Sequence, residues 1–142
     1  MRVRGGRIHL AVGGPIDPDL AWERYARTDR WTWWARHLRA VEVDGDDEAP
    51  RIHPGLTGRV VAIGGLVARF RVDAVDERAR TWSWTVRVGP VRLRLAHSVV
   101  AATQVGTERE GTLTRLVLRG PLPVTAAYAP VAAWALARLV RR

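Results

Sequence analysis

A chain of 142 residues with 47% hydrophobic residues has the length of one domain, and a domain of that length buries roughly two thirds of its unfolded surface without needing a staple. It contains no cysteine, which excludes a disulfide framework, a thiolate nucleophile and any Cys-ligated metal, and which fits a reducing cytoplasm, the expected location. The formal net charge is +9; all 23 basic residues are arginine, a bias that with the abundance of Ala, Val and Gly reflects base composition, so the placement of the charges says more than their type.

Met1 to Leu10 carries arginines but no apolar run or small-residue cleavage site, so no signal peptide is expected. Arg7 to Val12 alternates, with Ile8, Leu10 and Val12 on one side, which predicts a half-buried strand ended by Gly13, Gly14 and Pro15. Asp17 or Asp19 caps a helix that starts near Pro18 and covers Leu20 to Ala26, and Asp29 is expected to cap a second short helix carrying Trp31, Trp33 and Trp34. Leu38 to Val43 is a further strand, followed by an acidic, exposed loop from Asp44 to Pro54.

From there the pattern is mostly strand. Thr57 to Ile63 ends at Gly64-Gly65, and Val67 to Val75 sets Ala68, Phe70, Val72 and Ala74 against Arg69, Arg71 and Asp73. After a turn at Asp76 to Arg78, Arg80 to Val88 places Trp82, Trp84, Val86 and Val88 on one face, and Gly89-Pro90 turns the chain again. Val91, Leu93, Leu95, His97, Val99 and Ala101 share the next face, and a polar turn from Gln104 to Gly111 leads into Thr112 to Arg119 with Thr114, Leu116 and Leu118 inward. Val124, Tyr128, Val131, Ala135 and Leu139 have helical spacing, so a helix is expected from Val124 to Arg142, bent or restarted at Pro130. Its most apolar part, Val124 to Ala137, falls short of the about 20 residues a membrane span needs.

An open sheet with one apolar face needs a cover, and only the last helix is long enough to supply it. The fold class is therefore α+β of the helix-grip type: one domain over residues 1–142, with a curved antiparallel sheet of about seven strands wrapped round a long C-terminal helix and two short helices between strands one and two.

Particular residues carry a resemblance. Ala21-Trp22 followed by Thr28-Asp29-Arg30-Trp31 and Trp34, Pro54-Gly55 before the strand at Gly58, the hairpin strand Thr81-Trp82-Ser83-Trp84, and Gly106-Thr107 before the last strand resemble the SRPBCC superfamily of START-related lipid-transfer domains, birch-pollen-allergen-like proteins and polyketide cyclase/dehydrase-like proteins. The resemblance spans nearly the whole chain. It implies a cavity between sheet and long helix, closed by the short helices, that takes a lipid, polyketide or other apolar molecule, and in some members a cyclisation or dehydration carried out there. The superfamily has no invariant catalytic signature, so function remains to be argued from the site.

Seven tryptophans exceed what packing alone asks, since each buries about 150 to 250 Å² and its indole N–H wants a partner. Trp34, Trp82 and Trp84 are candidates to line the cavity or simply to fill the core, and Trp134 is open to both readings; Trp22 and Trp31 are assigned to structure. Phe70, Leu95 and Leu116 point the same way as these. His97 stands among apolar neighbours, where it either meets a ligand oxygen as donor, acid or base, or is a core histidine bonded to Tyr128 or backbone. Tyr128 could offer its hydroxyl to the same cavity. His9, His37 and His53 show no ligand spacing, so no metal is expected, and no cofactor. The paired glycines match no phosphate-binding fingerprint, and Ser83 and Ser98 no nucleophile elbow.

Arg69, Arg71, Arg87, Arg92, Arg94, Arg115 and Arg119 fall opposite the apolar strand faces, giving the sheet a cationic outer surface that either keeps the protein soluble or meets nucleic acid or anionic lipid. The leading expectation is a module, monomeric or homodimeric, that binds a small apolar ligand. An aromatase/cyclase-type enzyme using the same cavity is the first alternative, with no catalytic residue assignable, and docking through the arginine face the second.

Overall fold

A computed structural model describes residues 1–4, 6–45, 51–103 and 110–142. The strands are β1 (Arg2–Arg4), β2 (Arg7–Gly14), β3 (Leu38–Val43), β4 (Thr57–Ala62), β5 (Val67–Asp76), β6 (Thr81–Val88), β7 (Val91–Thr103) and β8 (Glu110–Arg119); the helices are α1 (Pro18–Ala26), α2 (Trp31–Trp34) and α3 (Leu122–Leu139). All eight strands form one sheet in the order β1-β2-β8-β7-β6-β5-β4-β3, and every neighbouring pair is antiparallel. Strand β1 is one more than the sequence reading foresaw, because three residues are too few to show an alternation.

Period-2 alternation decides which face of each strand is covered. Trp82, Trp84 and Val86 on β6, Leu93, Leu95, His97 and Val99 on β7, and Leu116 and Leu118 on β8 are all buried, while Arg87, Arg92, Arg94, Arg115 and Arg119 are exposed on the other side. Strand β5 departs from the expected pattern. A register shift between Val72 and Ala74 puts an extra residue into the strand, which flips the following side chains, so that Ala74 is exposed and Val75 packs against the core. The turn after it is tight. Arg80 adopts a positive φ of 54°, and the Asp76 carboxylate accepts from the amides of Arg78 and Ala79 at 3.1 and 3.0 Å.

Helix α1 starts as its sequence dictates: the Asp17 side chain accepts from the Asp19 amide at 2.8 Å, with Pro18 in the first turn. Asp29 does not cap α2. It lies inside a short 3-10 turn, Thr28–Arg30, where its carboxylate takes both bonds from the Arg27 guanidinium. The expected turn over 104–109, with Gly106-Thr107, and the loop residues 46–50 lie outside the described residues.

Helix α3 runs unbroken through Pro130. By length and composition it could cross a membrane; here its inner side is the cover of the sheet, with Thr125, Ala129, Ala132, Ala135, Leu136 and Leu139 buried. Its C-terminal end is held at two places. The Arg24 guanidinium donates to the carbonyls of Leu139 and Arg141 at 2.6 and 2.7 Å, supplying a cation where free helix carbonyls need one. Strand β2 also approaches so closely that a Cβ on Gly14 would stand 2.3 Å from the Val140 carbonyl oxygen. Backbone occupies that space and cannot turn aside, so Gly14→Ala should cost about 1 to 3 kcal/mol, seen in urea titration as a lower midpoint with an unchanged m value.

Candidate ligand-binding cavity

Because α3 presents the small side chains of Ala132 and Ala135 to the sheet, the helix does not fill the space above it. A cavity of about 280 Å³ remains, walled by the aromatic residues of α2 and β6, the aliphatic residues of β4, β7 and β8, and Val124, Tyr128, Ala132, Ala135 and Leu136 of α3. Among the described residues, no arginine, aspartate or glutamate belongs to the wall.

Of the sequence-derived candidates, Trp34, Trp82, Trp84, Leu95, His97, Leu116 and Tyr128 line this space. Phe70 and Trp134 do not. Phe70 is buried and points inward, but it stands behind the rings of Trp31 and Trp84, at 5.5 and 5.7 Å between centroids. Trp134 is 50% exposed; two residues past Ala132, it is turned by about 200° from the helix's inner side. Trp31, assigned above to structure, is part of the wall. His37, weighed in the sequence only as a metal ligand because it sits between α2 and β3 with no periodic neighbours, is another wall residue.

The deep end is an aromatic cluster. Trp82 stacks on His97 at 4.7 Å and 11°, and on Trp84 at 5.2 Å and 28°. Three of the four wall indoles donate to protein acceptors: Trp31 to the Tyr25 carbonyl at 2.8 Å, Trp34 to the Arg24 carbonyl at 2.9 Å and Trp84 to His97 Nε2 at 3.0 Å. Trp82 Nε1 and His37 Nδ1 are buried without a partner.

His97 is not bonded to Tyr128 or to backbone, the two core alternatives, and its true partner comes from α1. Since Nε2 accepts from Trp84, the proton resides on Nδ1, which donates to the Tyr25 hydroxyl at 3.2 Å. The Tyr25 hydroxyl donates in turn to Thr114 Oγ1 at 2.7 Å, and Thr114 to the Ser98 carbonyl at 3.1 Å. Every link has one donor and one acceptor, so the chain has a single direction. Burial pushes the His97 pKa down to about 3 and raises that of Tyr25. Tyr25 belongs to the buried side of α1 with Ala21, Trp22 and Ala26; that spacing marks it as a core residue, but nothing in it names His97.

Nearer the opening, the Tyr128 hydroxyl meets His37 Nε2 at 3.3 Å. Burial lowers the His37 pKa and pushes that of Tyr128 up to about 12, so both are neutral at pH 7. Among the described residues no three His, Asp or Glu side chains are grouped as metal ligands would be.

The shape decides the fold class. The crystal structure of Ara h 8.0201 superposes with a TM-score of 0.66 over 94% of this chain and 94% of that one, at 14% identity. The chain has the helix-grip fold. A protein from Nitrosospira multiformis, 11% identical, gives a TM-score of 0.72 over 94% of this chain and 93% of its own. No family model and no curated protein matches the sequence. Both likenesses show the helix-grip fold that the sequence led one to expect, while the residues on the wall are this chain's own.

The His97 pKa lies below that of an unfolded imidazole, so the stability due to its neutral form is complete above pH 6.5 and is lost as the pH falls toward about 3. Between pH 6.5 and 5 the unfolding free energy should decline with a slope approaching about 1.4 kcal/mol per pH unit for this proton. His37 adds to the same window. Urea midpoints followed by tryptophan fluorescence should show that His97→Gln flattens the profile without abolishing it; an unaltered slope would mean that other groups titrate there.

Proposed function

We propose that this protein binds a small, uncharged, largely apolar molecule, lipid-like or polyketide-like, in the cavity between sheet and α3. The observation that carries this reading is a wall free of charged residues. A carboxylate or phosphate placed there would be desolvated with no counter-charge, at a cost of several kcal/mol. The volume, about 280 Å³, lies just below the 300 to 1,000 Å³ typical of drug-sized ligands, which favours a compact occupant. Indole faces supply contact area at the deep end. His37 and Tyr128 are the polar groups nearest the opening, suited to a single hydroxyl or carbonyl. The cyclase reading draws little support, because both His97 nitrogens are taken up by Trp84 and Tyr25.

Two matched fluorescent probes test this. Neutral N-phenylnaphthylamine should bind, and its sulfonated analogue anilinonaphthalenesulfonate should compete for the cavity at least about tenfold more weakly, a difference of about 1.4 kcal/mol. Ala132→Trp, which fills the cavity from α3, should abolish binding of the neutral probe while near-UV circular dichroism stays native-like. If the sulfonate competes equally, or Ala132→Trp leaves binding intact, the neutral-cavity reading fails.

A further inference from the structure

The antiparallel order places the β4–β5 turn, the β6–β7 turn and the start of α3 at one end of the sheet. This end is the mouth of the cavity. Wall residues are buried at the deep end, whereas His37, Ala62, Val88, Val91, Val124 and Tyr128 are half-buried and Leu66 is exposed. The elements meet there: the Ile63 amide donates to the His37 carbonyl at 2.9 Å, and a Cβ on Gly120 would stand 3.1 Å from the Arg92 carbonyl oxygen.

The rim has two properties that rarely coincide on a surface kept only for solubility. Its tips are aliphatic and exposed, Ile63 at 71%, Leu66 at 58% and Leu122 at 47%. It is also flanked by exposed arginines without ion-pair partners among the described residues: Arg36 beside His37, and Arg87 and Arg92, which face each other across the β6–β7 hairpin. Like charges in directly opposed strand positions are destabilising. The turn sequences from Ala62 to Val67, Val88 to Val91 and Arg119 to Val124 contain no Asp or Glu. Among the described residues, Asp29, Glu42 and Asp73 aside, the carboxylates gather round α1 and the opposite turns, where Asp19, Glu23, Asp44 and Glu77 already bind arginines.

We propose that the cavity mouth docks on the surface of an anionic lipid bilayer, with Ile63, Leu66 and Leu122 entering the headgroup boundary and Arg36, Arg87 and Arg92 meeting lipid phosphates. The chemistry selects this occupant. Apolar tips gain free energy by leaving water, and each arginine near an anionic leaflet contributes in the same direction. A nucleic acid would leave the aliphatic tips without a partner, since Ile63, Leu66 and Leu122 offer no ring for a base to stack on and the rings of His37 and Tyr128 are half-buried in the wall. A second copy would set two arginine rims against each other. From Leu122 the exposed side of α3 continues uncharged through Ala126 and Pro130 to Trp134, which extends the apolar surface away from the mouth. Docking of this kind lets an apolar ligand pass between bilayer and cavity without crossing water, but the contact itself does not depend on a bound ligand.

Cosedimentation with vesicles of phosphatidylcholine, with and without phosphatidylglycerol, tests it on the whole chain. The partition coefficient should be at least about tenfold higher on the anionic vesicles and fall as salt rises. Arg87→Glu with Arg92→Glu, and separately Ile63→Asp with Leu66→Asp, should each lower it by about tenfold or more. The charge-matched pair Arg78→Glu with Arg115→Glu, away from the mouth, should change it by less than about twofold. Overturning results are equal or absent binding to both vesicles, an equal loss in the charge-matched control, or indifference to the aspartate substitutions, which would mean adsorption by net charge alone. Tighter binding to duplex DNA through the same arginines, or a dimer in size-exclusion light scattering that Leu66→Asp dissolves, would likewise assign the surface to another occupant. None of these measurements uses a cavity ligand, so their failure leaves the binding proposal where it stood.

Discussion

A helix with alanine on its inner side cannot fill the apolar face of an eight-stranded sheet, and the rest of the architecture answers that constraint. Close packing would ask for large residues on one partner wherever the other is small. Here the sheet supplies them at the deep end, where Trp82 and Trp84 from β6 meet Trp31 and Trp34 from α2, and withholds them toward the mouth, where Val88 and Val91 stand near Val124 of α3 and leave room. The cavity is thus graded, lined by indoles inside and by aliphatic side chains with His37 and Tyr128 outside. Alanine at positions 132 and 135 leaves the space, and the two anchors at the helix's far end, Gly14 against Val140 and Arg24 on the last carbonyls, keep the helix from settling into it.

The polar groups beneath this cavity are arranged so that none of them needs a charge. A chain of donors from Trp84 through His97, Tyr25 and Thr114 to the Ser98 carbonyl joins β6, β7, α1 and β8. In a desolvated setting each bond is stronger than in water, and each missing one more costly. Holding His97 neutral lets a ring with two nitrogens sit flat against Trp82, so the histidine acts as an aromatic plate with fixed orientation. The same bonding commits both of its ring nitrogens, to Trp84 and to Tyr25.

Charge is segregated along the strands. One end collects carboxylates, most of them paired with arginine across α1 and the neighbouring turns, including Arg51 between Glu23 and Glu77. These exposed pairs contribute little individually, yet they neutralise that end. Among the described residues the arginines at the mouth have no ion-pair partner, so the positive charge is presented unevenly. Such a field orients the molecule as it approaches an anionic surface.

The sequence by itself determined where strands lie and which side of each faces inward, because period-2 alternation and Gly or Pro turns are local properties; the strand Leu38 to Val43 and the inward set from Leu93 to Val99 were legible in that way. It also showed that only the last helix could cover the sheet. Depth and partnership were decided by the tertiary structure. Alternation says that Phe70 and Trp84 point the same way, but only the position of Trp31 over the sheet places one behind the wall and the other on it. Helical spacing marks Tyr25 as buried, but its hydroxyl reaches His97 only because α1 packs over β7, a contact between residues 72 apart in sequence. The bulge between Val72 and Ala74, the exposure of Trp134 and the arginine rim have the same origin, since each depends on how elements distant in the chain meet in space.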